Sequence, residues 1–278
     1  MPSSNRTNGP EKKDTVRNWI LSETNFGYVR DNPYEVAVLP FGATEPHNLH
    51  LPYSTDTLEA DEIAGRACAA AWEQGARVVM LPTIPYGTQT NQRHFPLAMN
   101  LNPSTLTRVL ADLTASVHDA GIRKLLVLNG HGGNEFKSAL RELGGGPVHM
   151  FLCDWFRTLS ADAQSELFVS PGDHAGEMET SLALAYFPDL VARDQQTGAL
   201  DADPGAVRET RFEAVNEGWV SISRPWHLLT TNTGAGDPHP ATPEKGQALM
   251  KVMVERLAAF LVDLSAAEVD EQFPYPAT

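Results

Sequence analysis

The chain has 278 residues, of which 42% are apolar, and its 35 acidic against 21 basic side chains give a formal net charge of −14. That composition supplies a sizeable core. No Lys/Arg cluster offers a footing for nucleic acid, and no run of about 18 apolar residues could span a membrane. Cys68 and Cys153 lie far apart in apolar company, which rules out a disulfide framework and a CxxC zinc site. They read as buried thiols, and a reducing cytoplasm fits.

Residues 1–14, "MPSSNRTNGPEKKD", read as a flexible arm without the apolar h-region of a secretory signal, and residues 15–278 as a single domain. "EVAVLPFGA", Glu35 to Ala43, is a short apolar run closed by Pro and Gly, and reads as a buried strand. The loop "GATEPHNLHLPYSTD" follows, then an Ala-rich helical stretch from Thr57 that stops at Gly75. "RVVMLPTIPYG", Arg77 to Gly87, is a second strand running into a Pro/Gly loop. The next helix takes Ser104 as its N-cap and Gly121 as its stop. Lys124 to Asn129 forms a third strand, followed by the turn "NGHGGNE", the short helix "FKSALREL" and a fourth strand in "PVHMFLCDWF". The stretch "DADPGAVRETRFEAVNEGWVSISRPWHLL" is less regular and suggests a strand or two among loops. A last helix runs from about Pro243 to Ala266. Strands alternating with helices imply an α/β fold with a mostly parallel sheet covered on both faces. In such sheets the site lies beyond the carboxyl ends of the strands.

Three polar stretches are placed to meet there. Glu45 and His47 are two apart, so an extended backbone would point both to one side. Asp56 follows at the mouth of the next helix, where Asp56-Thr57-Leu58-Glu59 also resembles a capping box with no metal involved. His131 sits between glycines that let a bound group come close. A tight turn would look the same. An esterase oxyanion loop would also need a G-x-S-x-G elbow, which the chain lacks. "GDHAGEMETS" brings Asp173, His174, Glu177 and Glu179 to a helix start, where acids are favourable in any case. A His/Asp/Glu set without Cys suits Zn, Mn or Fe, and no HExxH, EF-hand loop or Walker A motif is present.

In this order, "EPHNLHLP…TD", "NGHGGN" and "HAGEMETS" resemble the motifs of the creatininase family of metal-dependent amidohydrolases, as does the later "GAGDPHPATPEKG". The likeness runs from about Val36 to Gly246. It implies a three-layer α/β/α sandwich, often assembled as a hexamer, acting on a small-molecule substrate with one or two divalent ions (Zn, Mn or Fe). By the same resemblance Glu45 and His131 would hold one ion, His47 the other, and Asp56 would bridge them. His174 and Glu179 would sit beside the substrate. Creatinine-cleaving members carry a Glu ligand two residues after the "NGH" histidine. Here that position is Gly133, and Glu177 is the acid expected to complete the second site. Pro46 and Asn48 stand where Gln and Gly are commoner, so creatinine itself is not the expected substrate. The expected reaction is hydrolytic opening of a small cyclic amide-like compound by a metal-activated hydroxide. His174 would pass a proton to the leaving group, with Glu179 orienting it. The alternatives are hydrolysis of a cyclic keto-inositol of the 3-dehydro-scyllo-inosose type, or a catalytically silent metal-binding scaffold. Trp155 is a candidate to stack on a flat substrate, and Arg93 and His94 to face the same cleft, although large aromatics are usually structural.

Overall fold

The computed structural model describes residues 16–276. The expected N-terminal arm lies outside them. A short helix α1 (Phe26–Asp31) leads into strand β1 (Val36–Phe41), helix α2 (Thr55–Glu73) and strand β2 (Val78–Met80). Then come α3 (Pro103–Asp119), β3 (Lys124–Asn129), α4 (Phe136–Leu143), β4 (His149–Asp154), α5 (Ala161–Leu167) and α6 (Glu177–Tyr186). Two one-turn helices, α7 (Glu213–Asn216) and α8 (Trp226–Leu229), precede the long α9 (Pro243–Ala266).

The four strands form one parallel sheet in the order β2-β1-β3-β4. Every residue of β1 and β3 is buried, because a parallel sheet with helices on both faces has no wet side. The period of two divides them. Val36, Val38, Leu126 and Leu128 face Ile63 and Ala67 of α2 and Leu249 and Met253 of α9. Ala37, Leu39, Phe41, Leu125 and Val127 face Leu106 and Leu110 of α3 and Phe136 of α4. Fully burying each large aliphatic of this set is worth ~1.5–3 kcal/mol. The result is the three-layer α/β/α sandwich expected from the alternation.

The outer layer carries one unusually close contact. At Gly246, near the start of α9, an added Cβ would overlap the Ser181 carbonyl of α6. The two helices therefore meet backbone to backbone, which only glycine permits at that point.

Some boundaries differ from those expected. Helix α2 starts at Thr55, which makes Asp56 its second residue, and Ser54 takes the N-cap position. Helix α3 starts at Pro103 with Asn102 before it, because proline is preorganised for the first helical turn. Strand β2 is short, since Pro82 and Pro85 cannot extend a ladder. The 201–229 stretch contains no strand of the sheet. Gly205 and Val207 make only isolated bridges, to Gly236 and Thr230, and the remainder forms loops with α7 and α8. Cys68 is buried as expected, but Cys153 is only half-buried. Burial pushes both thiols up to about 12, with Asp154 adding to the effect at Cys153. No described helix is long and apolar enough to cross a membrane.

Candidate metal centre

The loop after β1 is the main scaffold of the site. Glu45 N–H donates to the Tyr53 carbonyl (3.0 Å), closing the loop. Asn48 takes a left-handed conformation (φ 54°), which asparagine tolerates, and binds Thr233 and Asp203 on the late segments. The loop thereby turns Glu45 and His47 inward, at 1% and 0% exposure, against Asp56 on the first turn of α2.

Three histidines converge on these acids, and each is fixed the same way. His47 Nδ1 donates to the Glu45 carbonyl (3.1 Å), which leaves Nε2 2.8 Å from Asp56 Oδ1. His131 Nε2 donates to the Thr88 carbonyl (3.0 Å), which leaves Nδ1 2.9 Å from both Glu45 Oε1 and Asp56 Oδ2. His174 Nε2 donates to the Pro46 carbonyl (2.9 Å), and its Nδ1 lies 3.7 Å from Glu45 Oε1. A carbonyl can only accept, so each ring keeps a hydrogen on its outer nitrogen, and the inner nitrogen, turned to the carboxylates, is the one a cation would take. Anchoring a histidine by its far N–H is how proteins orient metal ligands.

The ligand-type atoms fall into three groups, each within 4.8 Å of one another: Glu45, Asp56 and His131; His47, Asp56 and Glu179; Glu45, His47 and His174. Asp56 is shared by the first two, Glu45 by the first and third, and His47 by the second and third. Asp56 Oδ2 is buried without a directed hydrogen bond, although His131 Nδ1 is near. The electrostatics point the same way. Burial works against a charged ring, yet the Asp56 carboxylate outweighs it and pushes His47 up to about 10. Glu45 and Asp56 likewise drive His131 well above its ordinary range. Asp56 is held far below the usual carboxylate range by His47 and His131, against the cost of its burial. Protons thus sit where cations would relieve the same charge, and the donor set of imidazoles and carboxylates is one that divalent ions take.

Glu45, His47, Asp56 and His131 come together as the sequence suggests, and His174 and Glu179 join them. Glu177 does not. It is fully buried at the start of α6, where its carboxylate accepts from Val169 N–H (2.9 Å) and Ser170 N–H (2.7 Å) and pairs with Lys245 of α9. The acid that reaches His47 and Asp56 is Glu179, with one oxygen held by Ala175 N–H. Ala175 has φ 51°, a strained conformation for a residue with a Cβ, at the turn that aims both His174 and Glu179. Position 133 has no room for the ligand of creatinine-cleaving members. A Cβ there would overlap the Thr88 carbonyl and the His131 ring.

The other expected contacts move as well. Trp155 is fully buried in the core, and its neighbour Phe156 lines the cleft instead. His94 stacks on His227 (3.7 Å between rings) and Arg93 lines a separate shallow hollow, so neither lines the cleft. Asp56 is no capping box, since Glu59 finds no partner for either oxygen and is raised well above its usual range by burial and by the Glu179 and Asp56 charges.

Two contributors carried no motif. Gln92 donates its amide to Glu45 Oε2 and so turns the other oxygen toward the histidines. Trp226 meets His174 edge-on at 4.9 Å. Both line a cleft of about 470 Å³ with Gly130, Gly132, Met178 and Glu179, open at the carboxyl ends of the strands. A larger cavity of about 710 Å³ lies among Glu35, Arg77 and Lys124 at the opposite end, and it contains no histidine.

The chain is similar to known proteins over most of its length. The family model described as creatinine amidohydrolase matches residues 23–261. Creatinine amidohydrolase of Pseudomonas putida is 28% identical over 243 residues, 80% of this chain and 87% of the relative. The mycofactocin precursor peptide peptidase of Mycobacterium tuberculosis (strain ATCC 25618 / H37Rv) is 29% identical over 231 residues, 78% and 81% of the two chains. The crystal structure of a candidate creatinine amidohydrolase from Bacteroides fragilis NCTC 9343 superposes with a TM-score of 0.81 at 35% identity, covering 91% of this chain and 98% of that one.

Proposed function

The chain belongs to the creatininase family of metal-dependent amidohydrolases, and on that premise we propose that it hydrolyses a small amide, linear or cyclic, at a centre built for two divalent cations. Glu45, His131 and Asp56 would hold the first, and His47, Glu179 and Asp56 the second. Three protein ligands at each position match the usual complement of a catalytic site that keeps room for water. The observation that carries the reading is the common arrangement of His47, His131 and His174, each with its far nitrogen on a backbone carbonyl and its near one on the carboxylates.

Bound there, a pair of divalent cations lowers the pKa of water and polarises a carbonyl. The residues do the rest. Gln92 fixes which Glu45 oxygen faces inward. His174, anchored on Pro46 and backed by the Trp226 ring, is placed to take on Nδ1 the proton that the attacking water gives up and to pass it to the departing nitrogen. Glu177 is a positioning residue, which ties the segment before His174 to α9 through Lys245. The ligand chemistry accommodates Zn, Mn or Fe alike.

The test is metal analysis of the purified protein followed by a hydrolysis panel of lactams, formamides, short peptides and keto-inositols. Two equivalents of metal that fall together in Asp56→Asn, with hydrolysis of at least one amide class, support the reading. A wild-type protein that binds no divalent ion rejects it. We also propose a homo-oligomer, with a hexamer favoured. The supporting observation is the exposure of Phe212, Trp219 and Leu228 at 61%, 75% and 60%, large apolar side chains of one segment that a neighbouring subunit would cover. Light scattering that returns a 30.3 kDa particle would reject this.

A further inference from the structure

Two guanidinium groups line the cleft beside the ligand cluster, Arg157 and Arg224. They come from distant segments. Arg157 stands at the kink (φ −99°, ψ −124°) in the turn after β4, and Arg224 lies two residues before α8. Arg224 places its guanidinium carbon 5.7 Å from the Trp226 ring centre, and that ring is the one against His174. Arg157 sits at the same distance over Phe156, which also lines the cleft.

Neither cation is used up by its neighbours. Arg224 makes one bond, from Nη2 to Asp173 (2.9 Å), between side chains that are 49% and 60% exposed. Arg157 approaches Asp154 only through Nε, at 3.5 Å, and is 54% exposed. Each guanidinium has five donors in a planar fork, so most remain available for a ligand. The surrounding surface makes their presence informative. The chain has a net charge of −14, and the cleft floor already holds Glu45, Asp56 and Glu179. An anionic ligand would be repelled there unless cations were supplied near the mouth.

We propose that the substrate is an anionic amide, carrying a carboxylate away from the scissile bond that Arg157 and Arg224 hold while the carbonyl sits at the ligand cluster. This rests on the reading of the cleft as a hydrolytic site. A planar carboxylate matches the fork of an arginine. A cleft of about 470 Å³ suits a small molecule with its apolar middle against Trp226 and Phe156.

The experiment has two arms on the metal-loaded protein. The first compares kcat/KM for matched pairs, 5-oxoproline against its carboxamide and glutaramate against glutaramide. Charge-assisted hydrogen bonds predict roughly a tenfold or greater preference for the anion, which Arg224→Gln and Arg157→Gln each reduce and Arg224→Lys partly keeps. The second reads binding without turnover, by calorimetry with glutarate against glutaramide. Glutarate should bind about tenfold more tightly, and the difference should shrink in either Gln variant. A preference that survives in both variants means that the cations alone take the carboxylate, and the inference falls. Equal turnover of both members of each pair also overturns it and leaves the hydrolase reading standing. Arginine-dependent glutarate binding with no hydrolysis of any amide upholds the anion site and sinks the hydrolase reading.

Discussion

Glu177→Gln separates a ligand from a latch. The side chain is fully buried, accepts two backbone N–H groups at 2.9 and 2.7 Å and pairs with Lys245. Glutamine keeps the volume but loses the charge, and its NH2 group cannot accept from either N–H. Removing one member of a fully buried ion pair costs ~3–5 kcal/mol. Lys245 is 26% exposed and can recover some hydration, so ~2–3 kcal/mol is the expected loss here. For a chain of this size that lowers Tm by roughly 5–10 °C. Metal content measured at 25 °C by mass spectrometry should stay at the wild-type value. Glu179→Gln should behave in the opposite way. It removes one of three protein ligands from the second position, so about one equivalent of metal should be lost, with little change in the Tm of the metal-free protein. Loss of a metal equivalent in Glu177→Gln at unchanged Tm would refute the assignment.

Two further outcomes follow from the same geometry. In the metal-free protein the Asp56 carboxylate raises His47 to about 10 against its burial, so its ring is charged at pH 8, and Glu45 and Asp56 raise His131 in the same direction. A raised histidine is charged below its folded pKa, and a cation must displace that proton. Metal loading at pH 8 should therefore release at least the His47 proton and tighten as pH rises; calorimetry in two buffers of different ionisation enthalpy measures this, and zero release contradicts it. Gln92→Ala frees Glu45 Oε2 and should weaken metal affinity by ~10–100-fold, the usual effect of deleting a group that orients a ligand. Unchanged affinity in a chelator competition would dismiss Gln92 as filler.

The sheet and most helices were legible because their signals are local. Strand β3, helix α4 and helix α9 have the bounds that apolar runs and flanking Gly, Pro and Ala imply. Four of the gathered acids and histidines sit where their motifs suggest. Which of Glu177 and Glu179 faces the cleft is not readable locally. Two residues apart on a helix, they point ~200° apart, so only one can face the cleft. Which one depends on Lys245, far along the chain, because the buried face is the one its ammonium reaches. Trp155 went astray for a similar reason: the kink after β4 buries it and turns Phe156 outward. Gln92 belongs to no motif, since an amide that holds a carboxylate needs no fixed spacing. The 201–229 stretch suggests a strand or two among loops, but its isolated bridges show that it finds no continuous partner.

The glycine contact between α9 and α6 bears on when the centre can exist. Every acid and histidine of the three clusters lies N-terminal to residue 180, so all of them leave the ribosome before the last helix does. Yet the segment bearing His174 and Glu179 is tied down by Lys245 and by the bare backbone contact at Gly246, both on α9. Filling of the second position of the proposed centre would thereby wait for the end of synthesis. A nascent chain stalled at residue 240 should leave Glu179 apart from His47 and Asp56, and should retain at most one equivalent of metal against a mild chelator. The finished chain should retain two.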